Sequence, residues 1–198
     1  MGMLLKFSGL IDGLTRLIGR SVIWLILLAT LISAANAVAR KAFNIGSNAF
    51  LEIQWYLFAA VFMLGAGYAF LQNAHVRIDV LANKLSKRTR MMVDIGGILL
   101  FLFPMCYLIG QFAWPSLIAA YNSGEMSSNA GGLIRWPLYA LVPAGFFLLA
   151  LQGISELIKR LAFLTGSGPD PTLHESGSHG APAPDVAVHD NASGEAHK

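Results

Sequence analysis

The chain holds one cysteine, Cys106, so it forms no intrachain disulfide, and the apolar run around it marks a packed thiol. Charge is scarce too. Asp, Glu, Lys and Arg make up 13% of the 198 residues, against about 25% in a soluble domain. With 55% hydrophobic residues, this composition excludes an ordinary soluble globule and reads as an all-α integral membrane protein. The net charge of +3 is small and belongs to the loops, not to a nucleic-acid interface. Catalytic signatures are missing: there is no nucleophile elbow, HExxH pair or phosphate loop. No enzyme activity is expected, and no catalytic, metal-binding or substrate-binding residue is assigned in this chain. Histidine is nearly absent from the apolar part, where His75 is the one example. A haem-carrying helical anchor normally needs two axial ligands, often His. The other four, His174, His179, His189 and His197, are spaced irregularly and no Cys accompanies them. A solvated tail explains them better than a metal site.

What is present is a set of four apolar runs, each of about twenty residues, the length that crosses a ~30 Å hydrocarbon core as helix. The spans fall at about 21–39, 49–71, 91–113 and 137–155. The first twenty residues repeat Met3, Leu4, Phe7, Leu10, Ile11, Leu14, Leu17 and Ile18 at helical spacing, with Lys6, Asp12, Thr15 and Arg16 opposite. That pattern predicts an amphipathic helix over 1–20, lying along the membrane surface. The end of the first span, Ala35-Asn36-Ala37, imitates a signal-peptidase site, but its apolar run exceeds a signal core and reads as an uncleaved span. Pro104 predicts a kink in the third span, and Trp114 to Trp136 reads as an external loop. Asp94, one turn after Arg90, reads as half of an exposed i,i+4 pair. From 165 to 198 the chain has no aromatic residue and four prolines, so it cannot bury a core and is expected to be a disordered, dispensable tail.

Polar detail concentrates at the two ends of the second span. Glu52 and Gln54 stand at its start beside Trp55, and His75, Arg77 and Asp79 follow its end. Glu52 and Arg77 are twenty-five residues apart, about 37 Å along a helix, so they cannot share a midplane site. Each is a candidate for satisfying a neighbouring helix end or a partner subunit. Gly65, Gly67 and Ala69 offer a small-residue face for close helix approach, as do Pro143 and Gly145 in the fourth span.

The run E-x-Q-W-Y-L-F from Glu52 to Phe58, the G-A-G-Y of Gly65 to Tyr68, and H-V-R-I-D-V from His75 to Val80 resemble the small permease subunit of TRAP transporters, the tripartite ATP-independent periplasmic systems. Trp136-Pro137, P-A-G-F from Pro143 to Phe146, and L-Q-G-I-S-E from Leu151 to Glu156 resemble it as well. The likeness covers roughly Val22 to Leu161 and is similar to the branch labelled mannitol/chloroaromatic. It implies a multi-pass protein of the bacterial inner membrane that braces a large multi-span permease subunit. That partner would carry the substrate, usually an organic acid, and the coupling cation, commonly sodium. A periplasmic solute-binding protein would deliver the substrate. No cofactor is implied for this chain itself. The residues alone also leave open a stand-alone four-helix protein, such as a small oligomeric exporter or a redox anchor.

Near the membrane, ten Lys or Arg residues fall on the side of the N-terminus and three (Arg40, Lys41 and Arg135) on the other, which gives four spans with both ends cytoplasmic. Cysteine labelling after Lys41, Lys87, Asn129 and Thr165 should therefore read outside, inside, outside, inside. Labelling of the Lys87 position from outside would overturn that topology.

Overall fold

A computed structural model describes residues 2–44, 46–72 and 86–166. They form four helices, each long and apolar enough to cross a membrane: α1 (Gly2–Phe43), α2 (Asn48–Leu71), α3 (Lys87–Ser123) and α4 (Trp136–Leu164). Among the described residues the one β-type pairing is the isolated bridge Met126–Ile134, between α3 and α4. The protein is an all-α membrane protein. Helix α4 packs against the other three, and α1, α2 and α4 form a close trio with α3 alongside α4. Following the Lys/Arg split, the outer end is the one bearing the α1–α2 connection and residues 124–135; the inner end bears Arg160.

Helix α1 departs from the division into an interfacial helix over 1–20 and a span over 21–39. It is one helix of 42 residues, about 63 Å long. Its two faces do not sort simply into inside and outside: Lys6 and Arg16 are exposed like most of the leucines, and Ile11 is buried. Met3, Leu10 and Leu17 are 88%, 71% and 65% exposed, whereas Ser8, Ile11, Thr15 and Gly19 are buried against its neighbours. In lipid the apolar face turns outward, and the small and polar face must find partners inside. Gly9 and Gly13 do not break the helix; a side chain at either would meet nothing. Gly19 does have a packing role, since a Cβ there would run into the Tyr68 ring of α2.

Helix α3 starts where Ser86 caps it, its Oγ accepting from the Thr89 N–H at 3.2 Å. At Pro104, where the sequence predicts a kink, the helix makes a π turn over Ile98–Leu102 directly ahead of the proline. Proline has no N–H to donate, and its ring clashes with a carbonyl four residues back, so the wider turn absorbs the fault. The third span also runs past Ala113. Trp114 and Pro115 are helical, and α3 stops at Ser123, where Gly124 takes a left-handed φ of 60° and its N–H reaches back to the carbonyls of Ala120 and Tyr121. The external loop is thus 124–135, shorter than the sequence suggests. The apolar run Leu117–Ala120 carries the helix on, and a proline inside a transmembrane helix is tolerated. Helix α4 likewise continues beyond Ser155 to Leu164.

Close approach of α2 and α4 depends on one glycine. A Cβ on Gly145 would stand 2.6 Å from the Met63 carbonyl oxygen, which is backbone and cannot swing away. Gly67 is looser, with the Leu148 carbonyl 3.5 Å from a Cβ built there, and a Cβ at Gly65 lies 3.8 Å from Val22. Gly145→Ala should therefore destabilise the bundle by about 1–3 kcal/mol and lower its melting temperature in detergent. Gly110→Ala, where a Cβ meets nothing within 4 Å, should leave the melting temperature near wild type. Equal behaviour of the two variants would refute the packing argument.

Candidate functional site

The inner end of the bundle is held by a polar network across three helices. In α1, Ser8, Asp12 and Thr15 lie three and four residues apart, on one face. In α4, Gln152, Ser155, Glu156 and Lys159 do the same, and Arg160 extends the row. The two rows interlock. Ser8 and Ser155 share a hydroxyl hydrogen bond of 2.7 Å, and the Ser155 hydroxyl also lies 2.6 Å from Asp12 Oδ1. Thr15 Oγ1 donates to Gln152 Oε1 at 2.8 Å, while Gln152 Nε2 donates to Asp12 Oδ1 at 3.0 Å. Lys159 Nζ reaches Asp12 Oδ2 at 3.0 Å and also pairs with Glu156. Arg160 pairs with Glu156 through Nη1 and donates from Nε to Asp94 Oδ2 of α3 at 3.2 Å.

Burial makes this network consequential. Gln152 and Ser155 are 0% exposed, and Glu156 and Arg160 are 4% exposed each. A charge at such a place is tolerable only when it is paired and hydrogen-bonded. Asp94 thus has a tertiary partner in Arg160, beyond the exposed i,i+4 pairing that its spacing suggests.

The outer end is closed differently. Glu52, 3% exposed, turns its carboxylate onto the loop that joins α3 to α4. It accepts from Asn129 Nδ2 at 2.7 Å, from the Leu133 backbone N–H at 2.7 Å, and from the Ser127 hydroxyl. Two neighbours add to the grip: Asn48 Nδ2 donates to the Ala130 carbonyl at 3.2 Å, and the Tyr56 hydroxyl to the Ile134 carbonyl at 3.2 Å. Within the loop, Arg135 and Glu125 pair at 2.6 Å. The Glu52 carboxylate, with Asn48 and Tyr56, thus ties α2 to the 124–135 connection.

The other residues singled out by sequence separate. Gln54 is 9% exposed, on the stripe that continues through Gly65 and Tyr68 towards α1, and its Nε2 has no hydrogen-bond partner among the described residues. Trp55 is 65% exposed on the outside of the bundle. Pro143 lines a cleft between α3 and α4, and Ala69 is half-buried. His75, Arg77 and Asp79 lie outside the described residues, as does most of the tail. The structure thus gives Glu52 a partner set, but the inner cluster it shows is built from α1, α3 and α4. Sequence reasoning passed over Ser8, Asp12, Ser155 and Lys159. The available signal was the 3/4 spacing of small polar residues on α1 matched by a similar row on α4.

No group of three or more potential metal ligands occurs among the described residues. The charges buried in this bundle, Glu52, Glu156 and Arg160, are all near its ends and all satisfied within the chain. Such an arrangement holds helices and a loop in fixed relation.

Comparison with known proteins gives two matches. The family described as "Tripartite ATP-independent periplasmic transporters, DctQ component" matches residues 18–163. A protein of Haemophilus influenzae named for the TRAP transporter small permease is 32% identical over 138 residues, which is 69% of this chain and 83% of that relative. No solved structure matches the chain.

Two variants separate the clasps. Glu156→Ala leaves the buried Arg160 guanidinium without its nearest carboxylate and should cost about 3 kcal/mol or more of folding stability, read as a large fall in the melting temperature in detergent. Glu52→Ala should act locally, speeding hydrogen exchange at the Leu133 amide and across 124–135 while the helices keep their protection. Unchanged exchange at Leu133 would show that Glu52 does not hold the loop.

Proposed function

The chain belongs to the family of DctQ components of tripartite ATP-independent periplasmic transporters, as a multi-pass protein of the bacterial inner membrane, and from that premise we propose that it acts as a brace. In this reading it forms the fixed scaffold beside a large permease subunit, which carries the substrate and the coupling ion. A periplasmic binding protein brings in the substrate, an organic acid or related small solute. An ion gradient, commonly of sodium, drives uptake. This chain contributes no substrate ligand, no ion ligand and no cofactor.

One observation supports the bracing role above the rest. Every buried charge among the described residues is spent on internal clasps near the two ends of the bundle. A subunit that bound the transported ion would need an ionisable or carbonyl-lined site facing a cavity at mid-depth. A subunit that only holds position needs its helices locked to one another, and the inner network and the Glu52 loop clasp provide that. The same accounting weighs against a stand-alone exporter.

The test is reconstitution. The chain, expressed with the large permease, should co-purify with it, and uptake by vesicles should require both subunits, the binding protein and an imposed ion gradient, with no ATP. Glu156→Ala should reduce uptake in proportion to the loss of assembled complex, leaving the affinity of the binding protein for substrate unchanged. Transport by this chain alone, or full uptake by the large subunit without it, would refute the proposal.

A further inference from the structure

The largest cleft described in the bundle lies between α3 and α4, and this chain does not fill it. The two helices close on each other at both ends of the cleft. Towards the inner end Gly153 admits the Leu102 side chain, which would stand 2.7 Å from a Cβ built on that glycine. At the outer end Tyr121 and Trp136 meet edge to face, ring centroids 5.7 Å apart at 83°. Between these contacts the helices part, leaving a cleft of about 970 Å³ whose walls include Cys106, Gly110, Gln111, Pro143 and Ala144.

Gln111 is out of place in such a wall. It is nine residues from Leu102 and ten from Tyr121, so it sits about 14 Å along the helix from each closure, in the outer half of α3. It is exposed, and it makes no side-chain hydrogen bond among the described residues. An amide left bare in hydrocarbon is costly, because no water reaches that depth. In membrane helices a Gln at such a position finds its partner on another helix.

We propose that this cleft seats a transmembrane helix of the large permease subunit, and that Gln111 hydrogen-bonds to a polar side chain or backbone carbonyl on that helix. The proposal rests on the reading that this chain braces a larger permease. Three other occupants fit less well. A lipid chain would fill the volume but offers Gln111 neither donor nor acceptor. Gln72, Ser86 and Gly166, the described residues next to segment 73–85 and the tail, all stand at the inner end, whereas Gln111 lies on the outer side of Leu102. A second copy packed through this same face would set cleft against cleft and leave both unfilled.

The experiment places the photo-crosslinking residue p-benzoylphenylalanine at Tyr107, an exposed aromatic on the cleft wall, in cells making both membrane subunits. Illumination should yield a covalent adduct of this chain with the large permease. Ala144→Phe, which fills the cleft, should cut co-purification of the large subunit to about a tenth of wild type, and Gln111→Leu should cut it less. An adduct with a second copy, or with lipid only, would overturn the proposal, and so would wild-type co-purification of Ala144→Phe. Should Ala144→Phe fail to fold, the adduct at position 107 still decides. If the unaltered chain does not co-purify with the large permease at all, the bracing role itself falls; if it does but no adduct forms at position 107, only the placement in this cleft is wrong.

Discussion

A polar group inside a bilayer has no water to turn to, and most of this architecture follows from that. In a soluble protein the hydrophobic effect sorts residues, with apolar side chains inward and polar ones outward. Here lipid is as apolar as leucine, so that sorting force vanishes between helices and satisfaction of polar groups takes its place. Helix α1 shows the result directly. Its leucines face outward, and Ser8, Asp12 and Thr15 face α4 because only there do they find donors and acceptors. The interior is fixed less by fit of bulky side chains than by hydrogen bonds that have no alternative partner. Close packing still matters, but as an enabling condition. Gly19, Gly145 and Gly153 let backbones and rings approach until short side chains such as Ser and Thr can bridge the gap.

The membrane class and the family were legible in the sequence because both depend on local features: four apolar runs, few charges, and the short motifs around Glu52, Gly65 and Trp136. The lengths of the helices were less legible. Pro115 and the polar residues after it look like a loop start, yet the backbone continues because Leu117–Ala120 remain helical and apolar. The first forty residues carry Gly9, Gly13 and Gly19 in succession, and the helix runs through all three. A glycine marks a weak point only where nothing external holds the helix. Against α2, Gly19 serves as a docking notch for the Tyr68 ring.

The inner network was illegible for a different reason. Its members come from Ser8 to Arg160, more than 140 residues apart in sequence, and no local pattern joins them. Asp12 read alone is one polar residue on an amphipathic helix. It becomes the hub of the cluster only when α4 presents Gln152, Ser155 and Lys159 at matching intervals. Glu52 was easier to single out, since an acidic residue at the start of a span is conspicuous, but its role was not. Its partners are a backbone N–H and two loop side chains some eighty residues further along, in a segment whose sequence alone says only that it turns.

The same side chain makes the contrast between inside and margin plain. Gln152, in α4, spends both its carbonyl and its amide on Thr15 and Asp12, and nothing of it is exposed. Gln111, in α3, spends neither within the described chain. The difference follows from the way each helix is held. Helix α4 touches all three others, so a polar group on its inward face meets a neighbour wherever it points; α3 is held chiefly by α4, and its remaining surface is margin. A polar residue on a margin in lipid is uncomfortable in isolation but sensible in a subunit, because the missing half of the interaction can belong to another chain. A bundle whose buried charges are paired within the chain and whose α3 flank carries an unpaired amide has the form expected of a part of a larger membrane assembly.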